Sequence, residues 1–297
     1  MDHLFKSMWG SFGTADGQFN KPHDIAIDSD GNVYVVDYGN HRVQKFSSTG
    51  VFLDKWGEPG NGEGQFSFPT HIGIDSSNNV YVTEQLGLSP VPPRVRIQKF
   101  TNNGDFIKQW GQLGFGAGEF RSPKGIAVGS NDNVLVVDSD NHRIQKFTKD
   151  GEFITKWGRY EFGDGLHLGS ANDIAVDPRG ASYVTDGLHH SVKKFGISRN
   201  FIRQWGSRGS ADGEFDRPGG IATFSGSSLL VVDHFNHRVQ EFSRTGIFIT
   251  GWGSNGTQAG QFITPTGVAI NKINDMHYIA DTGNHRIQRF HWDPAVP

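Results

Sequence analysis

The residues best suited to chemistry are a handful of polar pairs: His23-Asp24, Thr70-His71, Lys124-Gly125 and Asn172-Asp173. Two imidazoles, His23 and His71, could hold one divalent metal ion. Asp24 or Asp173 could supply an oxygen ligand or an outer partner, which suits zinc or calcium. Such an ion would polarise a carbonyl or activate water, and Lys124 could stabilise developing negative charge. The chain has no Cys, so it has no thiolate nucleophile, no disulfide and no Cys-ligated zinc. No GxSxG elbow, HExxH helix or phosphate-binding loop occurs.

A second constellation, Asn40-His41-Arg42 near Asp37, looks like an acid-base site until it is found again at 141–143, 236–238 and 284–286. Equivalent copies around one molecule argue for architecture. The Asp and Asn are expected to bind turn backbone, and the Arg to bridge neighbouring units by a bidentate bond. "DSDGN" at 28–32 reads as a hairpin turn, because a strand follows at once and a twelve-residue calcium loop does not fit.

These copies belong to a repeat that fills the chain. Trp-Gly recurs at Trp9, Trp56, Trp110, Trp157, Trp205 and Trp252. An "IQKF"-like run ends at Phe46, Phe100, Phe147, Phe195, Phe242 and Phe290. An acid closes a "VVD"-like run at Asp37, Glu84, Asp138, Asp186, Asp233 and Asp281. Each unit holds four short apolar stretches separated by Gly, Asn and Asp turns; in the first unit they lie near 24–28, 32–36, 42–46 and 51–56. Four strands per unit read as a propeller blade. The last unit stops after its third strand, and "LFKSMWG" at 4–10 matches the missing fourth, "VFLDKWG" at 51–57. The expected fold is therefore all-β: a six-bladed β-propeller of four-stranded antiparallel blades, closed by the N-terminal strand, about residues 4–10, completing the last blade. One domain, 1–297, is expected, with blades near 11–57, 58–111, 112–158, 159–206, 207–253, and 254–291 plus 4–10.

Aligned on this unit, the polar pairs occupy the start of each innermost strand, which should ring one mouth of the axial channel. The ring runs His23-Asp24, Thr70-His71, Lys124-Gly125, Asn172-Asp173, Gly219-Gly220, Thr266-Gly267. Polar groups gather on one side and small residues leave room on the other, the usual shape of a small-ligand site. Loops after the second strands should reach the same rim. There Glu84 replaces Asp, the Pro-rich stretch 85–94 is inserted, His189-His190 replaces Asn-His, and His234 stands in blade 5.

"NHRVQKF" at 40–46 and its copies, with "GQFNKPHDIAID" and "GNVYVVD", resemble the NHL-repeat family over essentially the whole chain. The resemblance implies a six-bladed propeller but no single function, since NHL propellers serve as protein- or RNA-binding platforms, extracellular sensors and lyases. "FNKPHDIAID" is also similar to a stretch in peptidyl-α-hydroxyglycine α-amidating lyases, where histidines around the mouth hold zinc. His23 matches that position; Thr70, Lys124, Asn172, Gly219 and Thr266 do not. His71 falls one residue late, which on a regular strand turns it to the other face, so a three-His zinc site is not implied. Streptogramin lyases share related repeats but have seven blades.

The net charge is −3 and Gly is abundant at 40 of 297 residues. Balanced charge argues against nucleic acid as the partner, and no apolar run is long enough to span a membrane. The start "MDHLFKSMWG" has no apolar core of a signal peptide; the compartment stays open, and a monomer is expected. The expected function is a binding or scaffold propeller holding a protein, peptide or small ligand at one rim and the channel mouth. A metal-assisted lyase or hydrolase acting at the mouth, and an RNA-binding platform, are the alternatives.

Overall fold

The computed structural model describes residues 2–85, 95–160, 166–224 and 228–293. The insertion noted at 85–94 lies, beyond Gln85, outside them. The described residues form six four-stranded antiparallel sheets, each ordered as in the chain except the one that joins the two ends. Blade 1 is Pro22–Ile27, Val33–Asp37, Arg42–Phe46 and Phe52–Trp56. In the closing sheet, Asp2–Trp9 pairs with Arg286–Asp293, which pairs with Met276–Asp281 and then Val268–Asn271. The N-terminal strand thus completes the sixth blade, as the repeat requires. It begins two residues earlier than the match to "VFLDKWG" suggests, because this outer hairpin extends to pair His3 with Trp292.

Second and third strands are buried on both faces, since each blade is stacked between two others. Val33-Tyr34-Val35-Val36 is fully buried, a near-continuous apolar run rather than an alternating one. Outermost strands such as Phe52–Trp56 alternate half-buried and exposed residues. The repeat Trp packs on the next blade. A Cβ on Gly50 would lie 2.6 Å from the Trp9 ring, and Gly50 has φ +89°, so glycine is required there twice over. At the ring closure, His3 stacks on Trp252 of blade 5, bonds Glu241 through Nε2 (3.0 Å) and faces His277 Nδ1 (3.1 Å).

The Asp-Asn-His-Arg-Gln consensus proves to be a clasp on the segment that crosses from one blade to the next. In blade 1, Asp37 accepts from Asn20 N–H and from Arg42 Nε. The Arg42 fork donates to the carbonyls of Thr14, Ala15 and Gln18. Gln44 donates to Gln18 and accepts from Gly17 N–H. Asn40 donates to the carbonyl of Gly13. The crossing segment is largely exposed apart from Phe19, so these side-chain bonds rather than burial hold its irregular backbone, and the Arg and Gln bonds recur in every blade but the fourth. The His takes a part that residue type alone did not reveal. It sits in the left-handed region, and in three blades its Nδ1 accepts the N–H that enters the following blade: Lys21 to His285, Arg217 to His190, Thr264 to His237; His142 Nδ1–H instead donates to the Leu168 carbonyl. "DSDGN" is a hairpin turn, with Asp28 accepting from Asp30 N–H, Asn32 N–H and the Tyr34 hydroxyl.

Blade 4 departs most from the clasp. Ser191 stands where Arg stands elsewhere, and Lys193 replaces Gln; Lys193 donates to the His167 carbonyl and pairs with Asp186 at 3.2 Å. In blade 3, Arg143→Ala strips three carbonyls of their donor and leaves Asp138 buried without its cation. A loss of about 3–5 kcal/mol follows, read as a lower urea midpoint. Ser191→Ala removes a buried hydroxyl that has no partner, so its stability should equal or exceed the parent's by up to about 1 kcal/mol. One seam histidine, His285, adds an acid limit. Burial lowers the His285 pKa below its ordinary 6.5. A lowered histidine contributes stability that is complete above that value and is lost as pH falls below it. The Lys21 amide resonance should titrate with the His285 ring, with a midpoint below 6.5. A midpoint at or above 6.5 would contradict the seam.

Candidate functional site

Five of the six innermost strands begin with a register skip against the second strand: between Pro22 and Ile25, Pro69 and Ile72, Pro123 and Ile126, Ala171 and Ile174, and Pro218 and Ile221. A bulge re-aims side chains that a regular strand would send to opposite faces. The alternation expected for His71 is undone in this way. His23 and His71 line the same cavity at the channel mouth, their rings edge-to-face with centroids 5.1 Å apart.

That cavity has a volume near 460 Å³. Innermost strand starts supply His23, Thr70, His71, Lys124, Asn172, Gly219, Gly220 and Thr266; the residues after the second-strand acids supply Tyr38, Gln85, His234 and Thr282. Of the sequence ring, His23, Thr70, His71, Lys124 and Asn172 line this depression, and of the rim residues His234 joins them. Lys21, Tyr38, Arg217 and Phe235 complete the wall and were not singled out as site residues by residue type. The signal that finds Tyr38 is its position just after the shared acid, where each blade carries a different residue.

His23 Nδ1–H donates to the Thr70 carbonyl (2.9 Å) and His234 Nδ1–H to the Pro265 carbonyl (2.8 Å), which leaves Nε2 of each as the free edge. Burial holds the His23 pKa down at about 4 despite the Thr70 bond, with the positive field of His234 and Lys124 adding to it. Burial, then His23 and Lys124, holds His71 well below the usual range, and its Nδ1 has no partner. Both rings are neutral at pH 7. Asn172 donates Nδ2–H to the Pro218 carbonyl (2.9 Å), so its Oδ1 faces Lys124 Nζ at 3.0 Å. Burial lowers the Lys124 pKa, opposed by the fields of Asp140 and Asp186.

Asp24 and Asp173 lie one level below the mouth. They line the axial channel with the apolar residues of the innermost strands. Each carboxylate is committed across a blade seam, Asp24 accepting from Ile72 N–H (3.0 Å) and Asp173 from Ile221 N–H (2.9 Å). Burial raises both pKa values, Asp173 to about 7, and Asp24 is raised further by Asp173. The glycines elsewhere in this ring have the same cause. A Cβ on Gly125 would stand 2.4 Å from Asp173 Cα, one on Gly267 2.6 Å from Asp24 Cα, and one on Gly220 2.6 Å from the Thr266 carbonyl. Of the rim residues, Glu84 is fully buried and bonded to Arg96 and Gln98, so it serves the clasp. His189 bonds Asp186 (2.8 Å) in the place of the consensus Asn, and His190 serves the seam. Among the described residues no group of three or more His, Cys, Asp or Glu stands in a metal-holding arrangement. His23 and His71 form a pair, with Asp24 turned to the seam below.

The NHL repeat family model matches residues 19–46 and 120–147. The chain is 38% identical over 135 residues to the B-box type zinc finger protein ncl-1 of Caenorhabditis elegans, covering 46% of this chain and 15% of that protein. It thus spans a small fraction of that relative. Among solved structures, an auxiliary nutrient binding protein from Bacteroides ovatus superposes with TM-score 0.70 at 15% identity, covering 97% of this chain and 76% of that one. A virginiamycin B lyase from Staphylococcus aureus superposes with TM-score 0.61 at 14% identity, covering 92% and 96%. At such identities these likenesses speak to fold alone. Repeat consensus, family match and six closed blades agree: the chain is a six-bladed β-propeller with NHL repeats matched at 19–46 and 120–147.

Proposed function

We propose that this propeller is a binding module that holds a peptide or small ligand at the channel mouth. The observation that carries this is the cavity itself: His23, His71, Lys124, Asn172 and His234 converge on it, and Gly219 and Gly220 put no side chain into it. Its volume suits a small ligand or the end of a peptide. Catalysis finds less support. Acyl or phosphoryl transfer by a side chain needs a nucleophile bonded to a base. At the mouth the bonded imidazole edges of His23 and His234 meet carbonyls instead.

The histidine rings report directly on occupancy. In a screen of small polar fragments by NMR, hits should perturb the ring signals of His23, His71 and His234 together and leave His291, on the outer hairpin, unmoved. Hits confined to the outer surface would overturn the reading. So would an equivalent of zinc in the purified protein that disappears in the His23→Ala/His71→Ala double variant; the mouth would then be a metal-assisted lyase or hydrolase site. RNA binding with a steep salt dependence would also overturn the reading.

A further inference from the structure

Every strongly buried cation of the blade clasps is matched by a carboxylate: Arg42 by Asp37, Arg96 by Glu84, Arg143 by Asp138, Lys193 by Asp186, Arg286 by Asp281. Lys124, at the mouth, has no such match. Its ammonium lines the mouth cavity, and the one hydrogen bond it makes among the described residues is to the amide oxygen of Asn172, at 3.0 Å. The described residues that line the cavity include Lys21, Lys124 and Arg217 and no Asp or Glu at all. The carboxylates nearest in influence, Asp140 and Asp186, lie outside the lining.

An ammonium withdrawn from water without a counter-charge is costly. Asn172 is turned by its own bond to Pro218 so that it fixes the Lys124 head in place rather than neutralising it. Of the three Lys124 donors, the amide takes one. Beside it stand the neutral rings of His23 and His71, and farther along the wall the aromatic faces of Tyr38 and Phe235. A fixed cation, neutral imidazoles and flanking aromatic rings make a receptor for an anion that carries an apolar body. Lys124 gives a point charge to two acceptor oxygens, which suits a carboxylate.

We propose that the mouth cavity recognises a carboxylate, with Lys124 as its counter-ion and Tyr38 and Phe235 against the apolar group that bears it. This inference rests on the mouth being the ligand site. The carboxylate has two sources, the C-terminus of a peptide or a free aromatic or aliphatic acid.

The probes are N-acetylated dipeptides with an aromatic residue, each as the free acid and as the C-terminal amide, together with benzoate. Binding is followed by calorimetry and by the ring signals of His23, His71 and His234. Acids should bind at least roughly tenfold more tightly than their amides, the worth of one charge-assisted hydrogen bond. Raising the salt should weaken the acids and spare the amides. Lys124→Met should abolish the difference between acid and amide, while Lys124→Arg keeps part of it. Unchanged amide-region spectra of both variants show that they are folded. Tight binding of the dipeptide acids over benzoate identifies a peptide terminus, and the reverse identifies a free acid. If acids and amides perturb the mouth histidines equally, or Lys124→Met keeps the preference, the carboxylate is refuted and the mouth as a binding site survives. If the probes bind without moving any mouth histidine, both readings fall.

Discussion

The structure depends on one buried ion pair with three carbonyls attached to it. The connection between blades is irregular, largely exposed chain, buried in blade 1 only at Phe19. The buried Asp37–Arg42 pair, 2.8 Å apart, turns that segment into a joint: the carboxylate takes the N–H of Asn20 and the guanidinium takes the carbonyls of Thr14, Ala15 and Gln18. A buried pair of this kind adds little net stability on its own. Its value lies in the backbone groups that it satisfies and in the single geometry it permits. The same joint, repeated, sets where each innermost strand begins, and so where the mouth residues stand. Blade 2 shows how strictly the geometry is kept. Glu84 replaces Asp, and Arg96 still reaches the carbonyls of Asn61, Gly62 and Gln65.

How much could be read from residues alone divides along the same line. Strand number, blade count and closure by the N-terminal strand were legible because each repeats or completes a repeat. The ring of polar residues at the innermost strand starts was legible for the same reason, since copies can be laid side by side. Side-chain direction within that ring was not. Simple alternation turns His71 away from His23, yet the two rings meet at the mouth within the register skip between Pro69 and Ile72. Bulges leave little trace in residue type. Nor could residue type separate the two levels of the channel, because Asp24 and Asp173 follow directly on His23 and Asn172 in the chain and still sit below the mouth. Glu84 and His189 looked like rim ligands because they break consensus. They break it conservatively, each keeping the clasp by a different reach.

The contrast between His23-Asp24 and Gly219-Gly220 has a packing cause. Around the lower ring, an Asp in one blade stands where its neighbour's Cβ would be: Gly125 yields to Asp173, and Gly267 yields to Asp24. The bare wall of the mouth is thus in part a by-product of close blade contact. The side chains that reach into the mouth from this ring come from the remaining positions, His23, Thr70, Lys124 and Asn172.

The seam between first and last strands has a kinetic meaning. Trp9 and Ile287 are ladder partners, as are His3 and Trp292, although nearly the whole chain separates them. Loop closure over that length must precede the contacts that reward it. Until Arg286–Asp293 has emerged from the ribosome, Asp2–Trp9 has no strand to join, and the first blade has no neighbour on one flank. The His3–Glu241–Trp252 contacts reach past the closing sheet to blade 5, so the last event of assembly locks two blades at once. A nascent propeller of this design is an open arc for most of its synthesis. Its apolar flanks are exposed together and vanish together.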